Sequence, residues 1–152
     1  TKPTLTLEEE EQQKMEKYAE EQNSKRDEYA KEVIRLTNIE REKAGLNPLE
    51  MDESLMEAAD VRVKELSKNF SHTRPNGTAA KIAAQEAGYQ GDYIGENGGA
   101  GKNTPEFSVE SWMKSEGHRE NILNPEYNYI GVAYSYELDS EYGNYCIQIF
   151  AK

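Results

Sequence analysis

Cysteine is almost missing from this 152-residue chain, and histidine, tryptophan, positive charge and long apolar runs are all scarce. The single Cys146 excludes an internal disulfide and any cysteine-based zinc ligand set, so packing has to supply the stability. Its place in an apolar, strand-like run reads as that of a small buried hydrophobe. No stretch reaches the roughly 18 apolar residues of a membrane-spanning helix, and no leader-type segment is legible. Lys and Arg number 18 against 29 Asp and Glu, a formal charge of −11. A field of that sign repels a nucleic-acid backbone or an anionic membrane surface, and leaves cations or basic partners as better candidates. There is no internal repeat and no Pro- or Ser-rich linker, so one folded unit with a sizeable core is expected, as a monomer.

The first part of the chain, residues 1–28, is dominated from Glu8 by Glu, Gln and Lys, all good helix formers. Thr6 and Glu9 fit a capping box that starts a helix there. The segment reads as a solvated helix or tether, with an acidic partner-binding arm as the alternative. The folded domain is placed at 29–152. Val33, Leu36 or Thr37, and Ile39 recur at helical spacing up to Gly45, which suits the left-handed end of a helix. Leu49 and Met51 read as extended, and Asp52 caps a second helix with Leu55, Ala59, Val63 and Leu66 on one face. His72 then falls on an irregular segment rich in turn residues, and Thr78 reads as the cap of a shorter helix that stops at Gly88.

Tyr93 to Asn97 reads as a short strand with Glu96 on the same face as Ile94, where an amphipathic strand would carry an apolar residue. Local conflicts of this kind gather at functional sites, and an exposed strand accounts for them equally well. Gly98-Gly99-Ala100-Gly101-Lys102 fails as a phosphate loop, because Glu96 and Asn103 stand where Gly and Ser or Thr are needed; it reads as a flexible loop. Thr104-Pro105-Glu106 starts a helix whose buried stripe is Val109, Trp112 and Met113 and whose end is at Gly117, handing over to His118 beside Glu116 and Glu120. Two alternating runs, Tyr129 to Tyr136 and Tyr145 to Ala151, form an antiparallel hairpin. The element order predicts an α+β fold with an antiparallel sheet covered by helices.

Taken in order, Phe70-Ser71-His72, Gly95-Glu96-Asn97, Ser108 to Met113, Gly117 to Leu123 and Tyr129-Ile130-Gly131-Val132 resemble the CAP superfamily of cysteine-rich secretory, antigen 5 and pathogenesis-related 1 proteins. The likeness is to its bacterial, SCP-like branch and runs from Tyr29 to Lys152. It implies a three-layer α-β-α sandwich, an extracellular location, and a cleft lined by two histidines and two acids. His72, Glu96 and His118 match three of those four positions. The second acid of the eukaryotic members falls three residues after the Trp, where this chain has Ser115; Glu116 follows one residue later, turned by about 100° on a helix.

Two imidazoles and a carboxylate make a His2Glu set suited to Zn²⁺ or another divalent cation, and a second carboxylate would complete a hydrolase. The alternative is that both histidines make structural hydrogen bonds. The expected function is extracellular binding of a protein, glycan or lipid, with a candidate metal site at His72, Glu96 and His118. A metal-dependent, peptidase-like hydrolase is the rival and lipid or sterol carriage the third reading. No nucleotide or organic cofactor is expected.

Overall fold

The structure, a computed structural model, describes residues 3–152. Helix α1 (Leu7–Ser24) starts with the capping box expected at Thr6 and Glu9, and none of its residues is buried. It is fixed at its far end, where the Asn23 amide exchanges two 2.9 Å hydrogen bonds with the backbone of Tyr136 and Tyr18 packs edge-on to the Tyr136 ring. Helix α2 (Arg26–Lys43) buries Tyr29, Ala30, Val33 and Thr37, and Gly45 beyond it takes the positive φ that ends a helix without side-chain strain. Strand β1 (Glu50–Met51), α3 (Glu53–Lys68) and α4 (Ala80–Glu86) follow. Asp52 caps α3 through Leu55 N–H. Thr78 does not cap α4: its hydroxyl is bonded to Asn76, and Ala79 takes the cap position without a side-chain bond.

Strand β2 (Ile94–Ala100) is longer than expected. Gly98 to Ala100 continue it in register with Tyr145 to Ile147 rather than forming a loop, because the ladder supplies what the missing side chains do not. Helix α5 (Pro105–Met113) and helix α6 (Glu116–Ile122) divide at Lys114 and Ser115, so Gly117 lies inside α6 instead of ending a helix, and His118 sits in its first turn. The hairpin of β3 (Tyr129–Tyr136) and β4 (Asn144–Ala151) closes the sheet.

The sheet order is β1-β3-β4-β2. It is mixed, not purely antiparallel: β1 runs parallel to β3, since the chain leaving α2 enters that edge in β3's direction. Alternation along β3 and β4 divides the core in two. Ala133, Ile147 and Ile149 face α3 and α4, while Ile130, Val132, Cys146 and Phe150 face α2, α5 and α6. This is the three-layer α-β-α sandwich. Gly131 lets α3 lie directly on β3, for a Cβ there would stand 2.1 Å from the Leu55 carbonyl carbon.

Arg41 is among the largest fully buried side chains. Its guanidinium donates to the carbonyls of Asn47, Ile122, Asn124 and Tyr127, tying α2 to the end of α6 and the turn before β3. Arg41→Ala leaves four carbonyls without their donor and opens a cavity, so it is expected to destabilise the fold by about 3–5 kcal/mol in chemical denaturation. Arg41→Lys recovers less than half of this, because a point donor cannot span four acceptors.

Candidate functional site

Arg62 lies seven residues beyond Leu55 and four before Leu66, on the inward face of α3, so the helix carries its guanidinium to the sheet. Its side chain is wholly buried. There Nε donates to Glu96 Oε2 at 2.7 Å and an Nη donates to Oε1 at 2.8 Å, a two-pronged ion pair with the carboxylate that β2 presents on that face. The remaining donors reach Glu65 Oε1 and the Ser71 carbonyl, both at 2.9 Å. Arg74 grips Glu65 in turn, so residues 71–74 of the loop between α3 and α4 are tied to α3 at both ends by arginine.

That loop presents His72. Its Nδ1 is 2.9 Å from Glu96 Oε1, and since a carboxylate only accepts, Nδ1 carries the proton. His118 arrives from α6, whose first turn is pinned to β2. The buried Asn97 amide donates to the His118 carbonyl at 3.0 Å, and Asn121 donates to Asn97 Oδ1 at 2.9 Å. His72, Glu96 and His118 therefore line one small cavity of about 100 Å³, together with Leu66, Phe70 and Gly98. Glu116 is exposed and lines no part of it; Ser115 lines the adjoining cleft instead.

The ionisation of the three groups follows from these contacts. Burial pushes the Glu96 carboxyl up, but hydrogen bonds from Arg62 and His72 and the guanidinium charge more than reverse this and hold it below the usual carboxylate range. The bond to Glu96 raises His72 above the ordinary histidine value against the effect of its burial. Burial, helped by the charge of His72, lowers His118.

A larger cleft of about 390 Å³ shares Phe70, Gly98 and His118 with the small cavity. Phe70 and Tyr142 are half exposed at its walls, and Trp112 is buried beneath it. Its floor is the outer edge of β2. Bonds from Gly101 N to Asn144 O and from Lys152 N to Tyr93 O mark the odd-numbered residues of β2 as those paired with β4, so Glu96, Gly98 and Ala100 direct their backbone groups outward. Two of those outward carbonyls are capped by side chains: Gly98 O by the Trp112 indole N–H at 3.1 Å and Glu96 O by Asn121 at 3.3 Å. An open sheet edge is thereby closed to strand addition over this stretch.

The His2Glu ligand set does not fit as it stands. Both Glu96 oxygens are engaged by Arg62, one of them also by His72, and among the described residues no group of three or more His, Cys, Asp or Glu side chains is placed to hold a metal ion. Arg62 is the residue that sequence reasoning missed. Its signal was present, because an arginine stands among Leu55, Ala59, Val63 and Leu66 on the face that has to be buried.

In a proton NMR titration, His72 is expected to protonate at higher pH than free histidine and His118 at lower pH; Glu96→Gln should bring the two midpoints together. Equal midpoints in the wild-type chain would refute the geometry. Because Glu96 is depressed when folded, its contribution to stability is complete above the unfolded-state value of about 4.5 and is lost as pH falls through the folded value. The raised His72 contributes below about pH 6.5, a share that disappears as pH climbs through its folded value.

Comparison with known proteins identifies the family. The model of the cysteine-rich secretory protein family, CAP, matches residues 34–150. The Bacillus subtilis protein YkwD is 44% identical over 108 residues, which is 70% of this chain and 42% of that protein. An extracellular protein containing a SCP domain from Bacillus anthracis superposes with a TM-score of 0.76 at 24% identity, over 99% of this chain and 45% of the other. An outer surface protein of Borrelia burgdorferi gives a TM-score of 0.71 at 23% identity, over 79% of this chain and 89% of the other. Those two structures speak for the fold alone, and the chain spans less than half the length of its Bacillus relatives. The family match covers most of the chain and includes His72, Glu96 and His118, so the chain belongs to the CAP family of cysteine-rich secretory proteins.

Proposed function

We propose that the chain is the binding domain of an extracellular bacterial protein, and that the cleft between Phe70, Trp112 and Tyr142 is where it takes its ligand. The observation that carries this reading is the commitment of Glu96. A general base needs a carboxylate free to accept a proton, whereas this one is neutralised by a buried guanidinium and holds His72 in orientation. What remains open to solvent is an aromatic-walled cleft with hydroxyls at Ser111 and Ser115, a composition suited to recognition. An extracellular location is supported by the relatives described as an extracellular protein and an outer surface protein. Among the described residues no helix is long and apolar enough to cross a membrane.

Trp112 is the only tryptophan and lies beneath the cleft, so its emission reports occupancy. Titration with separate panels of oligosaccharides, peptides and lipid vesicles is expected to give a saturable change with one class. Phe70→Ala and Tyr142→Ala should each weaken it by about tenfold, as loss of an aromatic contact does. No product release is expected from the peptide and ester members of the panels. Turnover that depends on Glu96 would replace the binding reading by the hydrolase one, and a panel in which no class moves Trp112 emission would end it.

A further inference from the structure

We infer that Arg62 serves as the built-in cation of this site, occupying by hydrogen bonding the carboxylate that a divalent metal would need, and that the chain does not take zinc through His72, Glu96 and His118. This goes beyond the binding reading and holds whatever ligand the larger cleft accepts. The argument is one of donor atoms. A carboxylate that ligates a metal offers it an oxygen lone pair, yet both lone pairs of Glu96 Oε1 are taken, by an Arg62 Nη and His72 Nδ1, and one of the two on Oε2 is taken by Nε of the buried Arg62. The guanidinium cannot give up its proton, and it cannot swing away, because its other donors are held by Glu65 and Ser71 and its side chain is fully buried.

Charge adds to this. A second cation beside the pair would sit within a few ångströms of a fixed positive charge in a partly desolvated cavity, where screening is weak. The two imidazoles that remain are an incomplete set, without the third protein ligand of a catalytic zinc site. His72 keeps the arrangement of a metal ligand, with a carboxylate behind its Nδ1–H, but here that carboxylate orients the ring for the cleft instead of for an ion. Arg62 is in these terms a residue that determines specificity. It selects against metal and fixes His72 at the same time.

The test is zinc titration of the full chain at pH 7.5 by calorimetry, with the Hε1 resonances of His72 and His118 followed in parallel. Wild-type protein is expected to show no saturable one-to-one uptake at equimolar zinc. Arg62→Met frees Glu96 Oε2 and leaves Oε1 bonded to His72 alone, so it should bind zinc at least about tenfold more tightly than wild type, with both histidine resonances moving. Adding Glu96→Gln or His72→Ala to it should abolish the gain. If Arg62→Met does not fold, Arg62→Lys still releases one carboxylate oxygen and should show a smaller gain. Stoichiometric zinc uptake by the wild-type chain overturns the inference, whether Glu96→Gln removes it or the two histidines sustain it alone. An Arg62→Lys or Arg62→Met protein that folds and binds zinc no better than wild type overturns it as well.

Discussion

The ion pair between Arg62 and Glu96 joins the two structural layers from which the site is made. One partner is delivered by α3 and the other by β2, and the pair is formed where the helix face meets the edge of the sheet. A buried pair of this kind is a weak source of net stability, since desolvating both ions costs nearly what their attraction returns. Its value lies in position. With the pair in place, the α3–α4 loop is anchored through Ser71, His72 is given a fixed tautomer, and the carboxylate that lines the cavity has its charge cancelled.

The opposite wall is built on neutral groups. Asn97, Asn121 and Gln148 form a chain of amides that runs from the backbone of His118 to the Thr37 hydroxyl on α2. These amides sit on the face of the sheet turned away from Glu96, so the strand that carries Glu96 to one layer holds α6 to the other through its neighbour Asn97. Alternation along a single strand thus sets both histidines against one cavity. This is why a three-layer fold needs only a handful of polar side chains to define a cleft.

Most of the architecture was legible because it rests on periodicity and capping: the face of α3, the caps at Thr6, Asp52 and Thr104, and the alternation of β3 and β4 hold as read, while α2 buries Val33 and Thr37 as expected but completes its inward face with Tyr29, Ala30 and Arg41 in place of Ile39. Errors came where a residue type was allowed to decide alone. Gly98 and Gly99 suggested a loop, and Gly117 a helix end, but the first two are paired with β4 and the third lies in the first turn of α6, where no contact opposes it. The convergence of His72 and His118, 46 residues apart, was beyond periodicity and came from ordered motifs. The role of Glu96 was half legible. Its position on an apolar face marked it as unusual, while its partner stood unremarked on the buried face of α3, where Arg62 breaks the same rule. Reading such violations in pairs, a cation on one inward face and an anion on another, would have joined them.

The depth at which α3 sits is set far from the cleft, at Gly131. There the strand has no side chain and the helix backbone rests on it at Leu55, two turns before Arg62. A single methyl group at that point has nowhere to go except into the carbonyl of Leu55, so the helix has to ride outward, and the 2.7 Å and 2.8 Å contacts two turns along it cannot survive a shift of that size unchanged. Variation at Gly131 would then register as a change in the charge of a cavity it never touches. The glycine and the arginine are in that sense one constraint on the chain, a steric position tied to an electrical one.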